Sequence, residues 1–116
     1  MKSYFSDHEL KCECCGRLII DDIFLFRLNW ARHIADFPFI INSGYRCPTH
    51  NAEVDSTSTN HINGKAVDIL CTDHNQRYKI IAALISAGIL GIGINISYIH
   101  GDTNRTYGAT WTNGDP

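Results

Sequence analysis

The chain has 116 residues, 44% of them hydrophobic and 19% charged, with a net charge of −2 when histidine is neutral. That length supports one core and not two, so a single domain over residues 1–116 and a monomer are expected. The ten Lys and Arg residues are scattered, which excludes the basic stripe of a nucleic-acid binder, and no stretch nears the ~20 apolar residues of a membrane-spanning helix.

The first residues, Met1 to Ser6, lack the apolar run and small-residue cleavage site of a secretory leader. Cytoplasmic synthesis is therefore expected, with delivery by another agent if the chain acts outside the cell. Ser6 stands three residues before Glu9, the capping-box spacing, so a short helical turn opens there. A second helix begins at Asp21-Asp22, with acidic groups at its positive end. Its apolar face is expected to combine Ile23, Phe24, Phe26, Leu28, Trp30, Ala31 and Ile34, and Pro38 ends the region. Phe39 to Asn42 reads as a buried strand leading into Ser43-Gly44-Tyr45-Arg46, and Pro48 to Val54 as a short helix presenting Asn51. Residues Asp55 to Asn60 contain nothing apolar and form a loop. Ala66 to Leu70 is a strand, and Asn75 to Ala87 a helix with Tyr78, Ile80, Ile81, Leu84 and Ile85 as its stripe, stopped at Gly88. Gly91 to Ile96 and Ser97 to Asp102 read as consecutive strand segments, a tight hairpin or one bent strand. In the second, Tyr98, His100 and Asp102 share a face. The tail from Thr103, with Arg105, Tyr107 and Trp111, is expected to wrap the surface. The sum is an α+β fold, helices packed on a small, mostly antiparallel sheet.

Three residues carry the chemistry. His61 and Asp68 lie seven apart with Gly64 between them, so the chain can turn and bring both to one point. His100 completes the set. Two imidazoles and one carboxylate are the ligands expected of catalytic zinc with an open fourth position. Asp68 also sits in an apolar run, where a bare carboxylate needs a partner to offset its desolvation. Arg46, in a turn, can grip a peptide carboxylate bidentately, stabilise an oxyanion, or form a structural ion pair. Cys12, Cys14, Cys15, Cys47 and Cys71 are free thiols by default in a reducing cytosol. The first four leave a second metal or a disulfide open.

The run from Ser43 to Val54 (SGYRCPTHNAEV), the stretch Asn60-His61-Ile62-Asn63-Gly64-Lys65-Ala66-Val67-Asp68, and a strand ending in His100-x-Asp102 together resemble the zinc D-alanyl-D-alanine carboxypeptidase family. That family includes peptidoglycan peptidases and phage endolysins and shares its zinc fold with hedgehog signalling domains. The resemblance runs from about Tyr4 to Trp111. It implies one zinc held by His61, Asp68 and His100, peptidoglycan stem peptides as substrate, and a substrate-binding or transition-state role for Arg46, with Tyr45 and Asn51 shaping the substrate site. A phage protein, released by a holin or carried in a virion, would fit. The chain also departs from the pattern. Relatives place Glu or Asp three residues before the last zinc-binding His, and Ser97 stands there, whose hydroxyl cannot take a proton at neutral pH. Asp102 is the remaining acid, as general base or as the group that orients a ligand. Asp55-Ser56 replaces the usual glycine-rich turn and Thr59 the usual Ser. A second expectation follows: a zinc-stabilised wall-binding or virion module without turnover.

Overall fold

The computed structural model describes residues 3–53 and 60–112. Apart from Asn60, the expected polar loop from Asp55 onward lies outside the described residues, and so do Asp55-Ser56 and Thr59.

The chain opens with helix α1 (Asp7–Leu10), which is closed by the expected capping box. Glu9 N–H donates to Ser6 Oγ at 3.2 Å, and Ser6 N–H to Glu9 Oε1 at 3.0 Å. Helix α2 (Asp22–Ala35) starts where Asp21 Oδ2 accepts from Phe24 N–H at 2.9 Å. It stops at Asp36, whose φ of 58° lies in the left-handed region, two residues before Pro38. Strand β1 (Ile41–Ser43) and helix α3 (Pro48–Glu53) follow, and α3 buries Asn51. Strand β2 (Ala66–Leu70) leads to helix α4 (His74–Ser86), which begins one residue earlier than expected because Asp73 Oδ2 caps Gln76 N–H at 2.8 Å. Gly88, at φ +85°, ends it.

Strands β3 (Gly91–Ile94) and β4 (Tyr98–Asp102) form the tight hairpin, one of the two forms left open by the sequence. The tail does not simply wrap the surface. Its last described residues form a strand, β5 (Ala109–Thr112), which pairs parallel with β3. The sheet order is β1-β2-β4-β3-β5, every other pairing being antiparallel. The connection over residues 103–108 therefore passes the end of β3, and it is pinned there by Ala109 N–H on the Leu90 carbonyl at 3.0 Å.

Strand alternation divides the sheet into two chemistries. Val67, Ile69, Ile92 and Ile99 are fully buried and join Phe24, Leu28, Ala31, Ile80, Ala83 and Leu84 of α2 and α4 in one core. Burying each large side chain of this set contributes ~1.5–3 kcal/mol. The opposite parity carries Asp68, His100, Asp102 and Trp111. On β3 the same alternation reads Gly-Ile-Gly-Ile, with isoleucine on the core side and glycine on the other.

Both helical stripes are narrower than expected. On α2 the buried line is Phe24, Leu28 and Ala31, a spacing of four and three. Phe26 and Ile23 lie around the helix from it and are 64% and 63% exposed; Trp30 and Ile34 are exposed as well. Trp30 stacks on His33, which in turn bonds Tyr4 through Nδ1 at 2.7 Å. On α4 the buried set is Ile80, Ala83 and Leu84, while Tyr78 and Ile85 face solvent. Among the described residues, no helix is long and apolar enough to cross a membrane.

Candidate metal centre

The centre is assembled by strand register. Asp68 on β2 stands directly opposite His100 on β4, and on its far side β4 places Gly93 opposite His100 and Gly91 opposite Asp102. Because side chains alternate, this pairing puts Asp68, His100 and Asp102 on the face away from the helices. The glycines make room: a Cβ on Gly91 would stand 2.4 Å from Asp102 Oδ1. His61 enters from the turn before β2. That turn requires Gly64, whose φ is +70° and whose missing Cβ would lie 2.4 Å from the Ile19 carbonyl.

His61 Nε2 approaches Asp68 Oδ1 at 3.5 Å, and His100 Nδ1 the same oxygen at 3.0 Å. One ligand atom from each of the three residues lies within 4.8 Å of the others. The outer nitrogen of each ring is tied in its turn. His61 Nδ1 donates to the Gly44 carbonyl at 2.8 Å, and His100 Nε2 to Asp102 Oδ2 at 2.7 Å. These bonds occupy the outer nitrogens and leave Nε2 of His61 and Nδ1 of His100 directed inward at Asp68.

Arg46 is part of the same network. Its Nη2 donates to Asp68 Oδ2 at 3.1 Å and its Nε to Ser43 Oγ at 3.0 Å, so the ion pair weighed from sequence is formed. Tyr45, next to Arg46 in its loop, and Asn51, on α3, are 5% and 4% exposed. Ser97, at the position where an acid was looked for, is exposed in the β3–β4 turn, with its carbonyl accepting from Cys71 N–H at 2.9 Å. Asp102 is fully buried. Besides His100 it accepts from Asn60 Nδ2 at 3.0 Å and from Asn104 N–H at 3.2 Å, and Asn60 and Asn104 bond each other. Neither asparagine was singled out in the sequence. Trp111 stands beside His100 with ring centres 5.6 Å apart and carries the Arg105 guanidinium over its own ring at 4.7 Å.

Charge follows geometry. Burial would raise the Asp68 carboxyl, but the bonds from His100 and His61 outweigh it and hold the group well below the usual carboxylate range. Burial would lower His100; its two carboxylate partners, Asp102 and Asp68, prevail and push it up to about 9. Asp102, despite its burial, is held low by His100. Burial and the Asp68 charge raise the Tyr98 hydroxyl, which shares this face of β4.

A family model described as Peptidase M15 matches residues 3–102. The chain belongs to the peptidase M15 family. That is the zinc D-Ala-D-Ala carboxypeptidase-like family of metallopeptidases, in agreement with the resemblance carried by the sequence motifs. No curated protein matches the chain. The matched span holds His61, Asp68, His100, Asp102 and Arg46, whereas Arg105, Trp111 and all of β5 lie beyond it.

The donor set fits zinc. With bonds of about 2.0–2.1 Å, neighbouring ligand atoms of a tetrahedral zinc stand ~3.3 Å apart. The spacings of 3.0 and 3.5 Å bracket that value. A buried carboxylate at the meeting point of two imidazoles with tied outer nitrogens is also how protein ligands to zinc are braced.

Proposed function

We propose that the chain is a zinc-dependent peptidase that hydrolyses peptidoglycan stem peptides, as a D-Ala-D-Ala carboxypeptidase or an endopeptidase. The observation that carries this reading is the convergence of His61, Asp68 and His100 with both outer ring nitrogens already bonded, in a chain of the M15 family. When bound by these residues, zinc supplies Lewis acidity, polarising a peptide carbonyl and acidifying water.

The protein's own groups do the rest. The Gly44 carbonyl keeps a proton on Nδ1 of His61, and Asp102 keeps one on Nε2 of His100, so the inward nitrogens are the ones that would hold zinc, His100 giving up its inner proton to do so. Asp102 is a positioning residue in this reading: its oxygens are taken up by His100, Asn60 and Asn104. Arg46 spends two of its five donors on Ser43 and Asp68. The remainder of its fork is the group for a substrate carboxylate or the oxyanion that develops on the scissile carbonyl. Trp111 and Arg105 form the wall beside His100 and offer an apolar surface topped by a cation to the stem peptide. The motif match also agrees with a phage lysin acting on the wall.

A second reading, a metal-holding wall-binding or virion module, is favoured by one observation: Ser97 lies exposed in a turn and Asp102 is fully engaged. Mass spectrometry of muropeptides incubated with zinc-loaded wild type and with His61→Ala separates the two. A product from wild type alone establishes the peptidase and, by its mass, names the bond. Retention of muropeptide with no product from either protein leaves the binding module.

A further inference from the structure

We infer that Cys12, Cys14, Cys15 and Cys47 form a second metal site, a tetrathiolate for zinc that staples the 12–16 turn to the loop carrying Arg46. It lies apart from the sheet centre and does not depend on the peptidase reading.

The spacing comes first. Cys12 and Cys15 bracket two residues and are followed by Gly16 at φ +72°, the Cys-x-x-Cys turn that offers two sulfurs to one ion. The turn closes on itself, with Gly16 N–H on the Cys12 carbonyl at 2.9 Å and Cys12 N–H on the Arg17 carbonyl at 2.8 Å. Cys47 arrives from 33 residues beyond Cys14, and the two sulfurs stand 3.9 Å apart. A disulfide would need about 2.05 Å. With Zn–S bonds of about 2.3 Å, by contrast, the edge of the ligand tetrahedron is ~3.8 Å. The sulfurs of Cys12, Cys14 and Cys47 all lie within 4.8 Å of one another, and Cys15, next to Cys14 in the same turn, is the fourth thiol at hand.

Backbone N–H groups are aimed at the sulfurs, Cys47 N–H at Cys12 Sγ and His50 N–H at Cys47 Sγ, both at 3.4 Å. Donors so placed favour thiolates, and the three thiolates of Cys12, Cys14 and Cys47 at this spacing repel one another unless a cation joins them. Ordinary core packing does not account for the cluster. Its apolar company is Tyr45 and Leu18, and Cys14 and Cys15 are exposed. That exposure gives an ion its way in, and soft sulfur donors in a tetrahedron select zinc over harder cations.

The site has a structural consequence. Cys47 directly follows Arg46, and the same loop supplies the Gly44 carbonyl that holds His61. Pinning Cys47 to the N-terminal turn fixes the loop from which both contacts are made.

Cobalt titration of the full chain under reducing conditions tests the site. The expected result is an intense near-ultraviolet thiolate-to-cobalt band that saturates at one ion per chain. It is retained in Asp68→Asn and lost in a Cys12→Ser, Cys47→Ser variant. A second measurement, independent of how that variant folds, uses wild type only: Cys14 and Cys15 resist alkylation in the zinc-loaded protein and react once zinc is chelated. Absence of the band, or alkylation of both thiols at the same rate with and without zinc, overturns the proposal.

Discussion

Among the described residues, two clusters of side chains that could hold a metal ion are built differently. The His61, Asp68 and His100 cluster uses nitrogen and oxygen donors set by the register of paired strands, and His61 and Asp68 are 3% and 7% exposed. The cysteine cluster uses sulfur donors set by turns, half of them open to solvent. A strand pair over a filled core holds its side chains in place whatever they bind. A turn that rests on a handful of backbone bonds has less to hold it. The sheet centre should therefore keep its geometry without metal, and the cysteine turn should lose order when its ion leaves.

The largest effect that would sharpen this contrast is at a ligand. Asp68→Asn should reduce turnover below detection and remove the sheet-bound metal, with the circular dichroism spectrum unchanged; a concurrent loss of the thiolate–cobalt band would erase the difference between the two clusters. Arg46→Ala should come next, lowering kcat/KM for muropeptide by ~10²–10³-fold, the cost of removing an oxyanion donor. Equal turnover by the Arg46→Ala protein would leave the arginine only its structural bonds to Asp68 and Ser43. Asp102→Asn should weaken zinc binding by ~10–100-fold, as loss of a ligand's outer partner does. A fall in kcat at saturating zinc, with affinity intact, would instead restore the general-base role.

The smallest effect concerns pH in the chelated protein. His100 is raised from 6.5 to about 9, so its stabilising contribution is complete below pH 6.5 and is lost as pH rises through 9. Asp68 and Asp102 are lowered from 3.8, so theirs is complete above that value and is lost as pH falls. Thermal unfolding of the chelated protein should peak between about pH 4 and 6.5. Asp102→Asn should flatten the alkaline side, and a slope that stays the same would mean that His100 is not the group responsible.

Much of this was legible in residue order. The spacing of His61, Gly64, Asp68 and His100 marked the centre because a turn and two strands of fixed alternation impose it. Ser6 with Glu9, and Asp21, marked helix starts because their caps are local. What escaped was set by distance along the chain or by the absence of a phase. Asn60 meets Asp102 across 42 residues, and nothing near either position signals the contact. On α2, apolar residues occupy every side of the helix, so composition could not say that Phe24 faces inward and Phe26 outward. β5 pairs in parallel across a strand-skipping connection, a contact without local turn chemistry. The small-and-large alternation of Gly91 to Ile94 did carry a signal: glycine marks the side where a carboxylate and an imidazole need space.

That strand-skipping connection acts as a ruler. Residues 103–108 leave the end of β4 and enter β5, two strand spacings or ~9.6 Å away, although six residues can reach ~20 Å. The slack is what lets Asn104 turn back to Asp102 and Arg105 lie over Trp111. Shortening the strap by two residues would still close the sheet while drawing both side chains off the centre. Its length, more than its composition, thus sets how far the wall beside His100 stands from whatever enters.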